Sequence, residues 1–260
     1  MGASTAMRIE YATLSDTGRV RESNEDACGG FVPGEPATLR ERGALFVVAD
    51  GMGGHRGGEV ASRLAVGTIR ASYYGAEGVD PKEALVRAFE EANTSILTQA
   101  MSDATLFGMG TTCTALAINA AAAHFAHVGD SRAYTFRDGL LRQITQDHSL
   151  VGEMVRSGII SDEDARIHPK RNVITRSLGV QENVETDTPE TPMPIESGDT
   201  FVLCSDGLIA YASNDDISRI VQSAPPADAC RQLVDMANQR GGRDNITVIV
   251  ATVRSLDGNE

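Results

Sequence analysis

Three apolar runs in the chain end in an aspartate followed by a small residue: LFVVAD at Asp50-Gly51, AHVGD at Asp130-Ser131 and FVLCSD at Asp206-Gly207. A fourth, Asp244, stands at the opposite end of such a run, before ITVIVATV. Runs of Val, Phe and Leu bounded by Gly and Asp read as strands. A carboxylate at the rim of a buried strand is costly unless something compensates its charge. One such end is an ordinary turn. Four of them read as sheet strands delivering carboxylates to one place, the oxygen-rich surroundings that hard divalent cations require.

Other segments could complete such a centre. In Asp50-Gly51-Met52-Gly53-Gly54 the glycines let backbone approach a ligand closely; alone, the pentapeptide reads equally as a Gly-rich turn, and it lacks the GxGxxG spacing of a dinucleotide site. In Arg21-Glu22-Ser23-Asn24-Glu25-Asp26, Arg21 could grip a phosphate bidentately, with Glu25 or Asp26 orienting metal-bound water; such a charge run is otherwise a solvated turn. Asp244 is a candidate ligand with Asn245 as its hydrogen-bonding support, against the plainer reading of an Asx-capped turn. Gly129-Asp130-Ser131-Arg132, between two short strands, by itself reads as a hairpin. His124 and His127 lie in a strand-like run and read as packing residues. His148 and His168 bracket a polar stretch, where an exposed switch or a proton donor to a leaving group is open. The G-x-S-x-G elbow, an activated cysteine and the P-loop are all missing, which leaves a metal-activated water.

The elements that would position these residues follow from periodicity. Strand-like runs occur near 7–14, 43–49, 111–118, 123–128, 132–136, 199–204 and 246–253. Val60, Leu64, Ile69 and Tyr73 recur near helical spacing after Gly57-Gly58. Asp80-Pro81-Lys82-Glu83 is a helix start, with Leu85, Phe89, Ala92 and Ile96 along one face. Pro226 opens another helix, which Gly241 stops. Strands at both ends and in the middle, with helices between and a hairpin-like pair at 123–128 and 132–136, predict antiparallel sheets covered by helices. Thr145 to Asn172 is polar, with two short helical patterns, and reads as a flap beside the site. No linker or repeat divides the 260 residues, so one domain is expected, with its core at about 8–253. The net charge of −13 argues against a nucleic-acid surface and against an anionic membrane. The four cysteines are widely spaced and read as buried thiols. No signal peptide and no run of membrane-spanning length is seen, so a cytoplasmic location is expected.

Taken in order, the segments RESNEDA (21–27), VVADGMGGHRGGEVAS (47–62), GMGTTCTAL (108–116), HVGDSRAY (127–134), RNVITRSLG (171–179), LCSDGL (203–208) and GGRDNITVIV (241–250) resemble the bacterial branch of the metal-dependent type-2C Ser/Thr protein phosphatases. The resemblance covers about Arg8 to Val253. It implies an α+β fold, a four-layer α-β-β-α sandwich of two packed antiparallel sheets flanked by helices, with a two-metal cluster at one end. By the same resemblance Asp50 bridges both cations, Gly51 offers its carbonyl, and Asp206 and Asp244 hold one cation. Glu25 and Asp26 act through metal-bound waters, Arg21 grips the phosphate, and Asp130 serves a third, weaker cation with Asn172 as its partner. Met52 departs from members that carry a histidine there, which leaves His168 or a metal-bound water as proton donor.

The implied chemistry is phosphomonoester hydrolysis by a hydroxide shared between two cations about 3.5–4 Å apart. The oxygen ligands favour Mn²⁺ or Mg²⁺ over Zn²⁺. The expected partners are phosphorylated proteins, including a Ser/Thr kinase or its substrates, met by a monomeric enzyme. A weakly catalytic phosphoprotein-binding module and a two-metal nuclease are the alternatives; the acidic charge opposes the second.

Overall fold

The computed structural model describes residues 7–53 and 56–255. Gly54 of the glycine-rich run and the N-terminal MGASTA lie outside the described residues.

Two antiparallel sheets form the centre. One has five strands in the order β1 (Arg8–Asp16), β11 (Ile246–Ser255), β10 (Thr200–Cys204), β7 (Arg132–Arg137) and β8 (Leu140–Gln143). The other runs β2 (Asp26–Phe31), β3 (Ala44–Met52), β5 (Cys113–Ile118), β6 (Ala122–Val128) and β9 (Met193–Pro194), with the short β4 (Gly110–Thr111) added beside the end of β3. The helices are α1 (Pro36–Glu41), α2 (Gly57–Gly75), α3 (Pro81–Ser102), α4 (Leu150–Arg156), α5 (Asp162–Ile167), α6 (Asp206–Ile209), α7 (Asn214–Ser223) and α8 (Pro226–Gln239).

The strand sequences explain the layering. Side chains alternate across a strand, so a run that is apolar at every position must be buried on both faces. In β3, Leu45, Val47 and Ala49 pack under Ala61, Ala65, Ile69 and Phe89 of α2 and α3. On its other face Ala44, Phe46 and Val48 meet Phe201, Leu203, Ile249 and Ala251 of the opposite sheet. Strands β10 and β11 mirror this arrangement, turning Val202, Cys204, Val248 and Val250 toward Ile217, Leu233 and Val234 of α7 and α8. The result is helix, sheet, sheet, helix. Each fully buried Phe or Leu of these layers contributes about 2 kcal/mol of transfer free energy.

The helix starts hold in outline. Asp80 caps α3 by accepting from the backbone N of Lys82 at 2.9 Å, while Glu83 pairs with Arg87 one turn on instead of completing a capping box. Arg240 caps α8, and the left-handed Gly241 (φ 143°) follows it as the stop.

One expectation is corrected. Strands β6 and β7 do not form a hairpin: β6 pairs with β5 and β9, whereas β7 pairs with β10 and β8. Gly129-Asp130-Ser131 is therefore where the chain crosses from one sheet to the other. Each strand finds a longer partner elsewhere, β6 pairing with β5 from Ala123 to Val128 and β7 with β10 from Arg132 to Phe136. Strand β2 and helix α7 were not visible as elements in the sequence; DACGGF has too few β-branched residues to signal a strand.

Candidate metal-dependent active site

Register sets the centre. Asp26 lies directly opposite Asp50 in the β2–β3 ladder, and like charges in that relation are destabilising unless compensated. Asp206 opens α6 straight after β10, and Asp244 ends the loop before the neighbouring β11. The two sheets thus present two acids each at the same end of the sandwich.

The backbone around them is tightly tied. Gly51 N donates to Glu25 O at 3.1 Å, and Ser62 Oγ donates to the same carbonyl at 2.6 Å. A Cβ on Gly51 would stand 2.1 Å from Gly58 O and 2.5 Å from Glu25 O, so only glycine lets β3, the start of α2 and the Glu25 loop meet. The Glu25 carboxylate also lies against Gly58. Asp50 N donates to Thr112 Oγ1, and Asp50 O accepts from Thr112 N and Thr111 Oγ1, all within 3.1 Å. Across the centre, Asn245 Oδ1 accepts from Glu25 N at 2.8 Å, and its Nδ2 donates to the carbonyls of Thr17 and Ser23 at 2.9 Å. Asn245 therefore pins the Arg21–Asp26 loop to β11. Its side chain serves that loop, and only its backbone N reaches Asp244 Oδ1, at 2.9 Å.

The electrostatics are one-sided. Asp26 is 8% exposed; its Oδ2 accepts from Ser205 Oγ at 2.7 Å, and its Oδ1 is buried without a partner. Burial first, then the charges of Asp206 and Asp244, raise it to about 7, against the opposing influence of the nearby Thr247 hydroxyl and the Ser205 hydrogen bond. Burial and repulsion from Asp244 raise Asp206 to about 6. Asp50 is pushed well above the carboxylate range by burial, then by Asp26, Asp206, Asp130 and Asp244. Asp130 is 7% exposed, has a buried Oδ1 with no partner, and is raised by burial and by Asp206. Positive charge reaches the centre from the rim: half-exposed Arg21 donates to Asp244 Oδ2 at 2.9 Å, and Arg171 acts on Asp206.

These features fit divalent cations. Orphaned buried carboxylate oxygens and mutually raised acids are what hard-ion ligands look like before neutralisation. Among the described residues no three His, Cys, Asp or Glu side chains close into a ready-made chelate.

A cavity of about 390 Å³ lies between the 145–172 segment and this centre, and Asp130, Asp206, Arg171 and Asn172 line it. The sequence-chosen residues Arg21, Glu25, Asp26, Asp50, Gly51, Asp130, Asp206 and Asp244 thus gather at one end of the fold. Among the described residues the histidines do not; His55 lies outside them. His168 caps α5 through its backbone N–H to Ala165 O, its Nδ1 accepts from Lys170 N, and it does not line the cavity. His148, a candidate exposed switch or proton donor, is 3% exposed, with its Nε2 3.0 Å from Asp187 Oδ2. His124 and His127 are buried as expected. Sequence reasoning missed Ser205, Thr112 and the reach of Arg171. Ser205 and Thr112 lay inside recognised motifs, but hydroxyls beside acids carry no spacing signal of their own.

The Protein phosphatase 2C family profile matches residues 19–250. The chain is 39% identical to the serine/threonine phosphatase stp of Listeria monocytogenes, over 94% of this chain and 95% of that protein. It is 36% identical to the serine/threonine protein phosphatase PstP of Mycobacterium tuberculosis, covering 98% of this chain but 47% of that longer protein. Among solved structures, the catalytic domain of a PstP in complex with two manganese ions superposes with a TM-score of 0.83 at 37% identity, covering 96% of this chain and 100% of that one. Stp1 of Staphylococcus aureus superposes at 0.87 with 31% identity, covering 98% and 99%.

Proposed function

The chain belongs to the protein phosphatase 2C family of metal-dependent Ser/Thr protein phosphatases, and from that premise we propose that Asp50, Asp206 and Asp244 hold its catalytic cations while Arg21 holds the substrate phosphate. The observation that carries this reading is the convergence of acids from both sheets with orphaned oxygens and too little positive charge among them. Bound there, two Mn²⁺ or Mg²⁺ ions supply an activated water and shield the phosphoryl charge.

The residues do the rest. Asp50 spans the centre, because its backbone is fixed on both sides by Thr111 and Thr112 and its carboxylate faces acids from both sheets. Gly51 offers its carbonyl where a side chain would clash. Asp26, hydrogen-bonded by Ser205, and Glu25, held by Asn245, orient water from the second sheet. Arg21, half-exposed at the rim, can turn from Asp244 to a phosphate oxygen without unfolding anything. Met52 pairs with Gly110 in the ladder and brings no titratable group, so protonation of the leaving oxygen falls to water. Asp130, with Asn172 across the same cavity, forms a weaker auxiliary site.

Residues 8–253 act as one catalytic unit with 145–172 as its flap, as a monomer in the cytoplasm that reverses Ser/Thr kinase phosphorylation on the kinase or its substrates. No helix among the described residues is long and apolar enough to cross a membrane.

Hydrolysis of an aryl phosphate with and without Mn²⁺ tests the assignment. Turnover should require the metal, and Asp206→Asn should lower it by about a thousandfold, the several kcal/mol a metal contributes to transition-state charge, with an unchanged circular-dichroism spectrum. Near-wild-type activity in that variant would sink the ligand set. Absence of metal-dependent turnover in the parent protein would favour a phosphoprotein-binding role.

A further inference from the structure

We propose that His148 is a positioning residue that fastens the Asp130 turn to the base of the flap, so that the auxiliary carboxylate and Asn172 keep a fixed separation. This inference rests on the reading of Asp130 as an auxiliary ligand.

The contacts form a short ladder with Asp130 between its rungs. On one side His148 N donates to Gly129 O at 2.7 Å, and Gly129 N donates to His148 Nδ1 at 3.0 Å. On the other, Arg132 grips Asp147 through Nε to Oδ1 at 2.9 Å and Nη2 to Oδ2 at 2.6 Å. Residues 129 and 132 flank Asp130, and residues 147 and 148 lead into the flap. The flap's exit closes on the same place: Thr175 N donates to His148 O at 2.8 Å, and Leu150 N donates to Val173 O at 2.9 Å. Asp130 Oδ1 has no partner, so its direction is set by its backbone, which these rungs hold on the flap side while Ser131 is tied to Thr112 at 2.7 Å on the other.

The ring chemistry is specified as well. A backbone N–H can only donate, so His148 Nδ1 carries a lone pair and the ring proton sits on Nε2. Nε2 donates to Asp187 Oδ2 at 3.0 Å, and Arg176 Nη1 holds the other oxygen at 2.9 Å. Asp187 itself is tied by backbone bonds to His127, at 2.9 and 3.0 Å. Below, His127 adopts the same tautomer, donating from Nε2 to Gln146 O at 3.0 Å and accepting at Nδ1 from Thr114, with its ring centroid 4.9 Å from that of His148. Two neutral rings thus join β6, the flap base and the 185–187 stretch. A ring that merely filled space would need neither the acceptor at Nδ1 nor the carboxylate that fixes its tautomer.

Equilibrium Mn²⁺ binding, read from the free-ion electron paramagnetic resonance signal, tests the coupling without reference to activity. Asp130→Ala should remove the weakest Mn²⁺. His148→Ala should weaken that same ion on the order of tenfold, as loss of outer-shell support does, and leave the tighter ions unchanged. His148→Asn, whose amide oxygen can take the Gly129 N–H, should recover part of the loss. In the Asp130→Ala background, His148→Ala should add nothing. If Asp130→Ala removes the ion and His148→Ala leaves it intact, the positioning role is overturned while the auxiliary site stands. If Asp130→Ala changes nothing, the auxiliary site falls and the coupling with it. Should His148→Ala fail to fold, ¹⁵N shifts of the wild-type ring decide: a proton on Nε2 supports the proposal, and one on Nδ1 overturns it.

Discussion

Two sets of acids leave solvent in this fold, and they are treated in opposite ways. Asp199, 1% exposed, accepts from Arg137 Nε at 2.6 Å and Nη2 at 2.5 Å, and Asp147 is gripped by Arg132. Asp26, Asp50, Asp130 and Asp206 instead face one another, with two buried oxygens unpaired and Arg21 and Arg171 only at the rim. A fold that can supply bidentate arginines to two acids has not supplied them to the other four. The difference separates a structural acid, complete as it stands, from one held ready for a cation.

That contrast can be broken at several points. The largest stability effect should come from the paired set. Arg137→Ala leaves buried Asp199 without its counter-charge, with only the Glu196 N–H still donating to it, and should cost about 3 kcal/mol, read by urea unfolding; a loss under about 1 kcal/mol would mean that the pair is no more structural than the cluster. Arg21 lies between the two sets, since its pair with Asp244 is half-exposed. Arg21→Ala should therefore barely change stability while lowering kcat/KM about ten- to a hundredfold, the worth of a charged hydrogen bond to phosphate. Unchanged kinetics with a large loss of stability would reverse its assignment.

A smaller effect concerns pH. Asp26 at about 7 and Asp206 at about 6 are raised from an ordinary 3.8. Between about pH 4 and 7 these two carboxyls then bind more protons in the folded, metal-stripped protein than in the unfolded chain, while buried His127, lowered to about 4, binds fewer. The carboxyls' own contribution should be fully present at the acid end of this window and fall as pH rises through the folded values. Asp26→Asn should remove part of that fall after chelation; a variant whose stability follows the wild-type profile from pH 5 to 7 would contradict the repulsion.

Much of this was legible before any coordinates. The apolar runs near 43–49, 199–204 and 246–253 read as strands with acids at their ends, and the helical periodicity between them predicted sheets covered by helices. The layers were then a packing consequence. The part that could not be read was relational. The hairpin expected at Gly129–Arg132 is a crossing between sheets, because pairing partners far away in sequence outcompete the local one. His148 is open as a switch or proton donor in the sequence because the chain that buries it, around Asp187, is distant in sequence. Strand β2 escaped notice because its glycines give no periodicity, although its register against β3 is what sets Asp26 opposite Asp50.

The central claim is that the cluster's excess negative charge destabilises the fold until cations neutralise it. Thermal unfolding of Asp206→Asn, chelated and with Mn²⁺, tests this most directly. The variant should be at least as stable as wild type without metal, because a mutually repelled charge is gone, and should lose most of the Mn²⁺-induced rise in Tm. A variant clearly less stable than wild type after chelation, yet stabilised by Mn²⁺ to the same degree, would contradict it.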